Sequence, residues 1–104
     1  GATTETGLCT HGSINGHPCN VLLDTGATQC HVSPQFAKLH GLPLGPAHQS
    51  VRVDGGTSVA VQHGTTFKLR LGEYSTQLQA TVMPLVPGVD LILGCSWLNA
   101  VRAK

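Results

Sequence analysis

Apolar and polar residues alternate along much of this chain, and turns rich in glycine and proline interrupt the alternation at short intervals. Alternation with a period of two is typical of strands that bury one face. A short run of leucine and isoleucine near the end predicts one more strand, apolar on both faces. The predicted strands cover residues 8–14, 17–23, 29–32, 51–53, 59–61, 66–71, 74–83 and 91–93. The pattern therefore predicts an all-β fold of short strands.

The dipeptide Asn15-Gly16 predicts the sharpest turn of the chain. In a two-residue type I′ hairpin both turn residues need a positive φ, which asparagine and glycine accept. The strand pairing then places Ile14 opposite His17 and Gly12 opposite Cys19. The second strand of this hairpin runs directly into an acidic residue and delivers it to a strand end.

Two further hairpins follow from the alternation. Residues 51–53 and 59–61 flank a glycine-containing tip at residues 54–57, and Gly72-Glu73 forms the turn of the third hairpin. A glycine tip can close over a ligand with its backbone amides. An ordinary turn has the same composition, so both interpretations stay open at this point.

One or two short helices complete the predicted elements. Ser33-Pro34 has the residue types of a helix start, with serine as N-cap and proline in the first turn. Gly41 supplies the stop, and Phe36 and Leu39 would lie on one side of this helix. Residues 95–99 predict a second short helix.

Length and charge limit the possible functions. The chain has 104 residues, of which 40% are hydrophobic and 11% charged, with a net charge of +1. We expect a single domain over residues 1–104, with residues 1–7 as a flexible arm or an edge strand. No basic surface for nucleic acid or an anionic membrane is expected, and no apolar run could span a bilayer. So few charges predict that a partner covers part of the surface.

Cysteines and histidines raise the question of a metal site. The four cysteines, Cys9, Cys19, Cys30 and Cys95, are not spaced like a secreted disulfide framework, which favours reduced thiols in an intracellular protein. The predicted register puts Cys9 and His11 on one face of the first hairpin and His17 and Cys19 on the other. Zinc ligands must converge on one point, so this hairpin does not predict a zinc site.

The candidate chemistry lies where the apolar residues 21–23 end in Asp24-Thr25-Gly26. A carboxylate that follows buried residues is costly unless it has a partner or a role. Glycine permits a sharp turn behind it, and threonine can hydrogen-bond locally or to another chain. We therefore treat Asp24 as a candidate catalytic carboxylate.

An ordered set of motifs connects this element with a known family. The chain resembles the retropepsins, the aspartic proteases of the retroviral kind, and is most similar to those of Gypsy-class long-terminal-repeat retrotransposons. The resemblance lies in residues 22–28 (LLDTGAT), 32–38 (VSPQFAK), 53–56 (VDGG), 90–94 (DLILG) and 96–98 (SWL). These motifs stand in family order and cover about residues 8 to 99.

The resemblance implies an acid-protease barrel or sandwich of short strands with half of the active site in each chain. In such proteases two carboxylates share one proton and activate a water. This chain has one Asp-Thr-Gly, and none of its other acids sits in a second copy. The resemblance therefore implies a two-fold dimer with Asp24 at its axis.

Further roles carry over by position. The catalytic group would be Asp24, Thr25 and Gly26, with Thr25 bonding to the partner's loop. Ala27 and Thr28 would line the cleft, and a flap would bond the substrate main chain. The flap residues would be Asp54, Gly55 and Gly56. Val89 and Ile92 would be pocket walls, with core packing an equal possibility for Ile92.

The implied function is an aspartic endopeptidase that acts as a homodimer on its own Gag-Pol-type polyprotein. It would use no cofactor or metal, and its partners would be a second copy and a polypeptide, with neither nucleic acid nor membrane. It would act inside the cell, in the cytoplasm or a virus-like particle. The alternative is an inactive or domesticated retropepsin-like domain for dimerisation or peptide binding. The retropepsin-like domain of a ubiquitin-shuttle protein is a third possibility.

One departure concerns the dimer. Retroviral members usually end with a strand that pairs with the N-terminal strand at the interface. Here only residues 100–104 follow Asn99. We therefore expect an interface of different construction, a weak dimer, or a chain that has been cut short.

Overall fold

A computed structural model describes residues 7–24, 26–52 and 58–94, and the side chains of all these except residues 7, 47–52 and 58–62. The predictions for Thr25, for the flap residues Asp54, Gly55 and Gly56, and for a helix at residues 95–99 lie outside the described residues. So do residues 1–6 of the predicted arm.

The described residues form seven strands in one sheet, together with one helix. The strand order is β1-β2-β7-β3-β6-β5-β4, and a further pairing of β1 with β5 closes six strands into a barrel, with β4 outside it. The prediction of an all-β barrel with a short helix is confirmed. The elements are β1 Gly7–Ile14, β2 His17–Asp24, β3 His31–Val32, α1 Pro34–Leu39, β4 Gly45–Arg52, β5 Ser58–Leu71, β6 Tyr74–Val82 and β7 Leu91–Leu93.

The first hairpin has the predicted register. Ile14 pairs with His17 and Gly12 with Cys19, and the turn residues Asn15 and Gly16 have φ values of 51° and 87°. Because opposite residues of an antiparallel pair share a face, Gly12, Ile14, His17 and Cys19 lie on one side of the hairpin. Cys9 and His11 lie on the other side, as predicted.

The helix begins at the predicted N-cap and buries only part of one side. The Ser33 side chain accepts a hydrogen bond from the Phe36 backbone amide at 3.0 Å, which makes serine the N-cap. Phe36 and Ala37 are buried, whereas Leu39 is 77% exposed. Residues three apart are neighbours on a helix surface, so Phe36 and Leu39 lie on one side of the helix, but only Phe36 is covered.

The second and third hairpins share one long strand. β5 runs without a break through 14 residues and pairs with β4 on one side and β6 on the other. The predicted strands at 59–61 and 66–71 are therefore parts of a single element. The intervening residues stay extended because Gly64 pairs with Gly45 and with Thr81 at the same time.

The barrel interior is filled by side chains that alternate inward along the strands. One row across the sheet joins Val21, Leu91, Val32 and Val82 through consecutive strand pairings. The first three of these residues are completely or almost completely buried. Position 31 on β3, position 92 on β7 and positions 22 and 24 on β2 therefore face outward. No helix in the described part of the chain is long and apolar enough to cross a membrane.

Candidate active site

The loop that begins at Asp24 is shaped by the position of β7. β7 lies between β2 and β3, parallel to the first and antiparallel to the second. The connection from β2 to β3, of which residues 26–30 are described, must therefore cross the end of β7. Gly94 follows β7 at this crossing, where an added β-carbon would stand 2.4 Å from the carbonyl oxygen of Gln29 and 2.8 Å from that of Ala27. The loop rests directly on the backbone of Gly94, so this position has no room for a side chain.

The carboxylate of Asp24 is held in a defined orientation. Its Oδ1 accepts a hydrogen bond from the backbone amide of Gly26 at 2.9 Å. The backbone carbonyl of Asp24 accepts another from the amide of Ala27 at 3.1 Å, which closes a tight turn. A β-carbon on residue 26 would lie 3.2 Å from Oδ1. Glycine at position 26 thus lets the backbone amide approach the carboxylate without a competing side chain.

The sheet surface beside Asp24 is mostly apolar. Leu22, two residues before Asp24 on β2, pairs with Ile92, and Ile92 pairs with His31 on β3. Because side chains two residues apart share a face, these residues lie on the outer surface together with Asp24. Asp24, Leu22 and Ile92 are each partly exposed. A carboxylate at the edge of a partly exposed apolar surface is suited to contact with an extended peptide.

The structure brings some of the predicted site residues together. Asp24, Gly26, the partly exposed Ala27 and the exposed Thr28 lie in one loop, and Ile92 faces outward on the adjacent strand. Val89 is at the opposite end of β7, where the next residue, Asp90, bonds to the backbone of Asn20. Within one chain, Val89 is therefore not brought next to Asp24. Thr25, Asp54, Gly55 and Gly56 lie outside the described residues.

The other described acids have different positions. Glu73 is exposed in the turn between β5 and β6. The carboxylate of Asp90 accepts a hydrogen bond from the Asn20 amide at 2.8 Å, and the Asp90 carbonyl accepts one from the Ser33 amide at 2.9 Å. Asp90 therefore joins β2, β7 and the start of the helix. Neither acid lies in the loop that carries Asp24.

His31 belongs to this surface but was absent from the predicted site. It is 6% exposed, and its Nδ1 is 2.5 Å from the Thr81 hydroxyl on β6. Burial lowers the pKa of His31, and the negative charge of Asp24 raises that pKa by a smaller amount. The alternation around Val32 could have identified His31, because an inward-facing residue 32 makes residue 31 face outward.

The chain matches one protein-family model, described as "gag-polyprotein putative aspartyl protease", over residues 10–100. Its fold is similar to that of the EIAV protease, solved in complex with the inhibitor HBY-793, with a TM-score of 0.70 and 25% identity. That match covers 100% of this chain and 96% of the other.

Two further solved structures are similar in fold. A retropepsin-like aspartic protease from Rickettsia conorii has a TM-score of 0.65 and 17% identity over 89% of this chain and 70% of its own. The retroviral protease-like domain of Ddi1 from Leishmania major has a TM-score of 0.66 and 16% identity over 93% and 78%. Among curated proteins no relative matches the chain. Since the family model covers most of the sequence and the barrel agrees, the chain belongs to the retropepsin-like aspartic proteases of the gag-polyprotein family.

Proposed function

We propose that this protein is an aspartic endopeptidase that acts as a homodimer and hydrolyses peptide bonds of a Gag-Pol-type polyprotein. The observation that carries the proposal is the Asp24 carboxylate. It stands at the end of a strand, bonded to the Gly26 amide and bordered by an apolar surface. The family match supports this assignment, and so does the structural similarity to the EIAV protease, which was solved with a bound inhibitor.

The chemistry requires a second carboxylate. Two carboxyl groups about 3 Å apart cannot both ionise readily, so one keeps a proton that polarises the peptide carbonyl. The other then removes a proton from the attacking water. The sequence holds one Asp-Thr-Gly, and the other described acids are remote from Asp24. A two-fold dimer supplies the pair by bringing Asp24 of each chain to the symmetry axis.

The proposed substrate lies as an extended strand across the outer surface beside Asp24. Peptides bound in this way gain main-chain hydrogen bonds and present alternate side chains to pockets. Ala27, Thr28 and Ile92 would contact it from the loop and from β7, and Val89 would contribute a pocket wall. Thr25 would bond to the partner's loop. Asp54, Gly55 and Gly56 would form the flap on the other side of the peptide.

The test compares peptide cleavage by the wild type and by Asp24→Asn at mildly acidic pH. Asparagine keeps an oxygen to accept the Gly26 amide but cannot act as a base, so we expect cleavage to disappear while the fold remains. Glu73→Gln removes an exposed acid far from the loop and serves as the matched control, which should cleave like the wild type. Cleavage by Asp24→Asn at the wild-type rate would contradict the proposal.

A second candidate function is dimerisation or peptide binding without cleavage, as a domesticated domain. The structural similarity to the Ddi1 domain from Leishmania major makes this alternative specific, because the barrel also occurs there within a differently named protein. Analytical ultracentrifugation together with the cleavage assay separates the two functions. A stable dimer that binds peptides and never cleaves them would favour the second. If the protein is the proposed endopeptidase, it would act on its polyprotein in the cytoplasm or in a virus-like particle.

A further inference from the structure

A cavity of about 700 Å³ lies at the base of the hairpin formed by β4 and β5, beyond the loop that carries Asp24. Its described wall comes from the end of that loop, from the segment that follows α1, and from β5 and β6. Asp24 and residues 26–28 are not part of this wall. Cavities of roughly 300–1,000 Å³ hold drug-sized ligands, so this one has room for several residues of a peptide.

The lining of the cavity suits an uncharged ligand with hydrogen-bonding groups. Among the described residues of the wall there is no aspartate, glutamate, lysine, arginine or histidine. A charged ligand would give up water there without gaining an opposite charge. Apolar surface comes from Leu44 and Ala80, and polar groups come from Thr65, Thr66 and Gln79. A peptide segment with uncharged polar side chains offers both kinds of contact.

Two buried threonines in the wall differ in their hydrogen bonds. Thr81 is 5% exposed, and its hydroxyl contacts the His31 ring and the Cys30 carbonyl. Thr65 is 4% exposed, and its hydroxyl has no hydrogen-bond partner in the described part of the chain. A buried hydroxyl without a partner is costly. Because Thr65 lines the cavity, a bound ligand can supply the missing partner.

One row of paired residues on the outer face connects the surface beside Asp24 with the cavity. The row runs through consecutive strand pairings from β2 to β5: Leu22, Ile92, His31, Thr81 and Gly64. Its last two members line the cavity. With strands about 4.8 Å apart, Thr81 lies about 14 Å from β2 along the sheet. An extended chain advances about 3.4 Å per residue, so a peptide that lies beside Asp24 reaches the cavity about four residues from its scissile bond.

We propose that this cavity is an exosite that binds an uncharged polar segment of the polypeptide substrate, beginning about four residues from the scissile bond. This inference rests on the proposed function. The Thr65 hydroxyl bonds to an amide group of the bound segment, and Leu44 and Ala80 pack against its apolar atoms. In the two-fold dimer one cavity lies on each side of the active site. Substrate choice therefore depends on sequence beyond the residues that contact the Asp24 loop.

The first experiment varies the length and charge of the substrate. A six-residue substrate, selected by cleavage from a peptide library, is compared with two versions that carry four more residues at each end. One extension alternates serine with glutamine and the other alternates serine with glutamate. We expect the serine–glutamine peptide to have a KM roughly ten-fold lower than the six-residue peptide with a similar kcat, because an exosite adds the same binding energy before and during the reaction. The serine–glutamate peptide should gain nothing, and equal KM values for all three peptides would overturn the inference.

The second experiment removes the unpartnered hydroxyl. Thr65→Val keeps the shape of the side chain, and the matched control is Thr76→Val, at a partly exposed position of β6 outside the cavity. We expect Thr65→Val to raise the KM of the serine–glutamine peptide roughly three- to ten-fold, the value of one hydrogen bond. Its KM for the six-residue peptide should stay at the wild-type value, and Thr76→Val should follow the wild type with both peptides. A cavity filled only by water predicts no effect of Thr65→Val on either peptide, and that result would contradict the inference.

A second variant guards against failure of Thr65→Val to fold. Gly45 lines the cavity, and a β-carbon there meets no atom within 4 Å. Gly45→Leu therefore fills part of the cavity from a position with room for a side chain. We expect it to abolish the advantage of the serine–glutamine peptide while cleavage of the six-residue peptide continues. An undiminished advantage would show that the peptide binds elsewhere.

A binding measurement keeps this inference apart from the proposed function. The capped peptide Ser-Gln-Ser-Gln is added to isotope-labelled Asp24→Asn, and the backbone amide resonances are followed by NMR. We expect the resonances of Gly64 and Thr66 to move and that of Gly26 to stay. If these shifts occur but the wild type cleaves no peptide, the proposed function fails and the exosite stands. If the wild type cleaves and no resonance of the cavity moves, the exosite fails and the proposed function stands.

Discussion

The carbonyl oxygen of Gln29 lies 2.4 Å from the point where a β-carbon of residue 94 would stand. The oxygen is a backbone atom, and the β-carbon would be attached to the backbone of residue 94. Neither atom can move aside as the end of a flexible side chain would. This contact fixes the height of the Asp24 loop above the end of β7. Replacing single glycines by alanine adds one methyl group at a chosen position and measures how much the loop depends on such close contacts.

We expect Gly94→Ala to destabilise the protein by about 1–3 kcal/mol, the usual cost of overpacking a filled site. Thermal or urea unfolding would measure it. Gly45→Ala is the matched control, because a β-carbon there meets no atom within 4 Å and its effect should stay within about 0.5 kcal/mol. Equal stability of Gly94→Ala and the wild type would show that the loop can move away from residue 94 without a measurable loss of folding free energy.

Gly26→Ala should impair catalysis more than stability. The new β-carbon would lie 3.2 Å from Asp24 Oδ1, which is close enough to displace the carboxylate by a few tenths of an ångström. Small misplacements of reacting groups can reduce the rate by up to about 100-fold. We expect kcat/KM for peptide cleavage to fall roughly ten-fold or more with a nearly unchanged unfolding midpoint. Wild-type kcat/KM would mean that this contact does not position the carboxylate.

Asn15 connects the tip of the first hairpin with β5. Its Oδ1 accepts a hydrogen bond from the Lys68 amide and its own amide donates to the Lys68 carbonyl, both at 2.9 Å. We expect Asn15→Ala to cost about 1–2 kcal/mol, because alanine lacks the acceptor and tolerates a positive φ poorly. Asn15→Asp retains both properties and should unfold close to the wild-type denaturant concentration. If the two variants unfold alike, the side-chain hydrogen bond contributes little.

Cys19 makes stability fall at alkaline pH. Burial, and secondarily the charge of Asp90, raises the pKa of this thiol from 9.0 to about 11. The unfolded chain therefore loses the thiol proton at lower pH than the folded one, so the free energy of unfolding decreases as pH rises from 9 toward 11. Urea unfolding at several pH values should show a shallower decrease for Cys19→Ala. Cys9→Ala, at an exposed site, is the control that should retain the wild-type slope.

Local signals predicted the local structure correctly. Asn15-Gly16 determined a register that holds over the whole first hairpin, and Ser33-Pro34 marked the helix start. In both cases the residues that carry the signal are adjacent in sequence. Asn15 and Gly16 adopt the positive φ values that the turn needs, and Ser33 accepts the backbone hydrogen bond that caps the helix. Gly26 likewise predicted a sharp turn after Asp24, and there the Ala27 amide donates to the Asp24 carbonyl.

Structural features that depend on residues distant in sequence could not be predicted from local patterns. The continuity of β5 follows from partners on both sides at Gly64, which no local pattern shows. The exposure of Leu39 and the burial of His31 depend on which distant residues pack against them. The alternation gave the directions of these side chains but not their surroundings, so His31 was missed as part of the candidate site.

The insertion of β7 between β2 and β3 has a consequence for the order of folding. Three residues near position 92 must reach strands that are about sixty to seventy positions earlier in the chain. Contacts this distant in sequence close large loops and form slowly. During synthesis the Asp24 loop cannot settle before residue 94 has left the ribosome, because its support does not yet exist. A partly synthesised chain therefore contains Asp24 but has not yet formed the loop that positions its carboxylate.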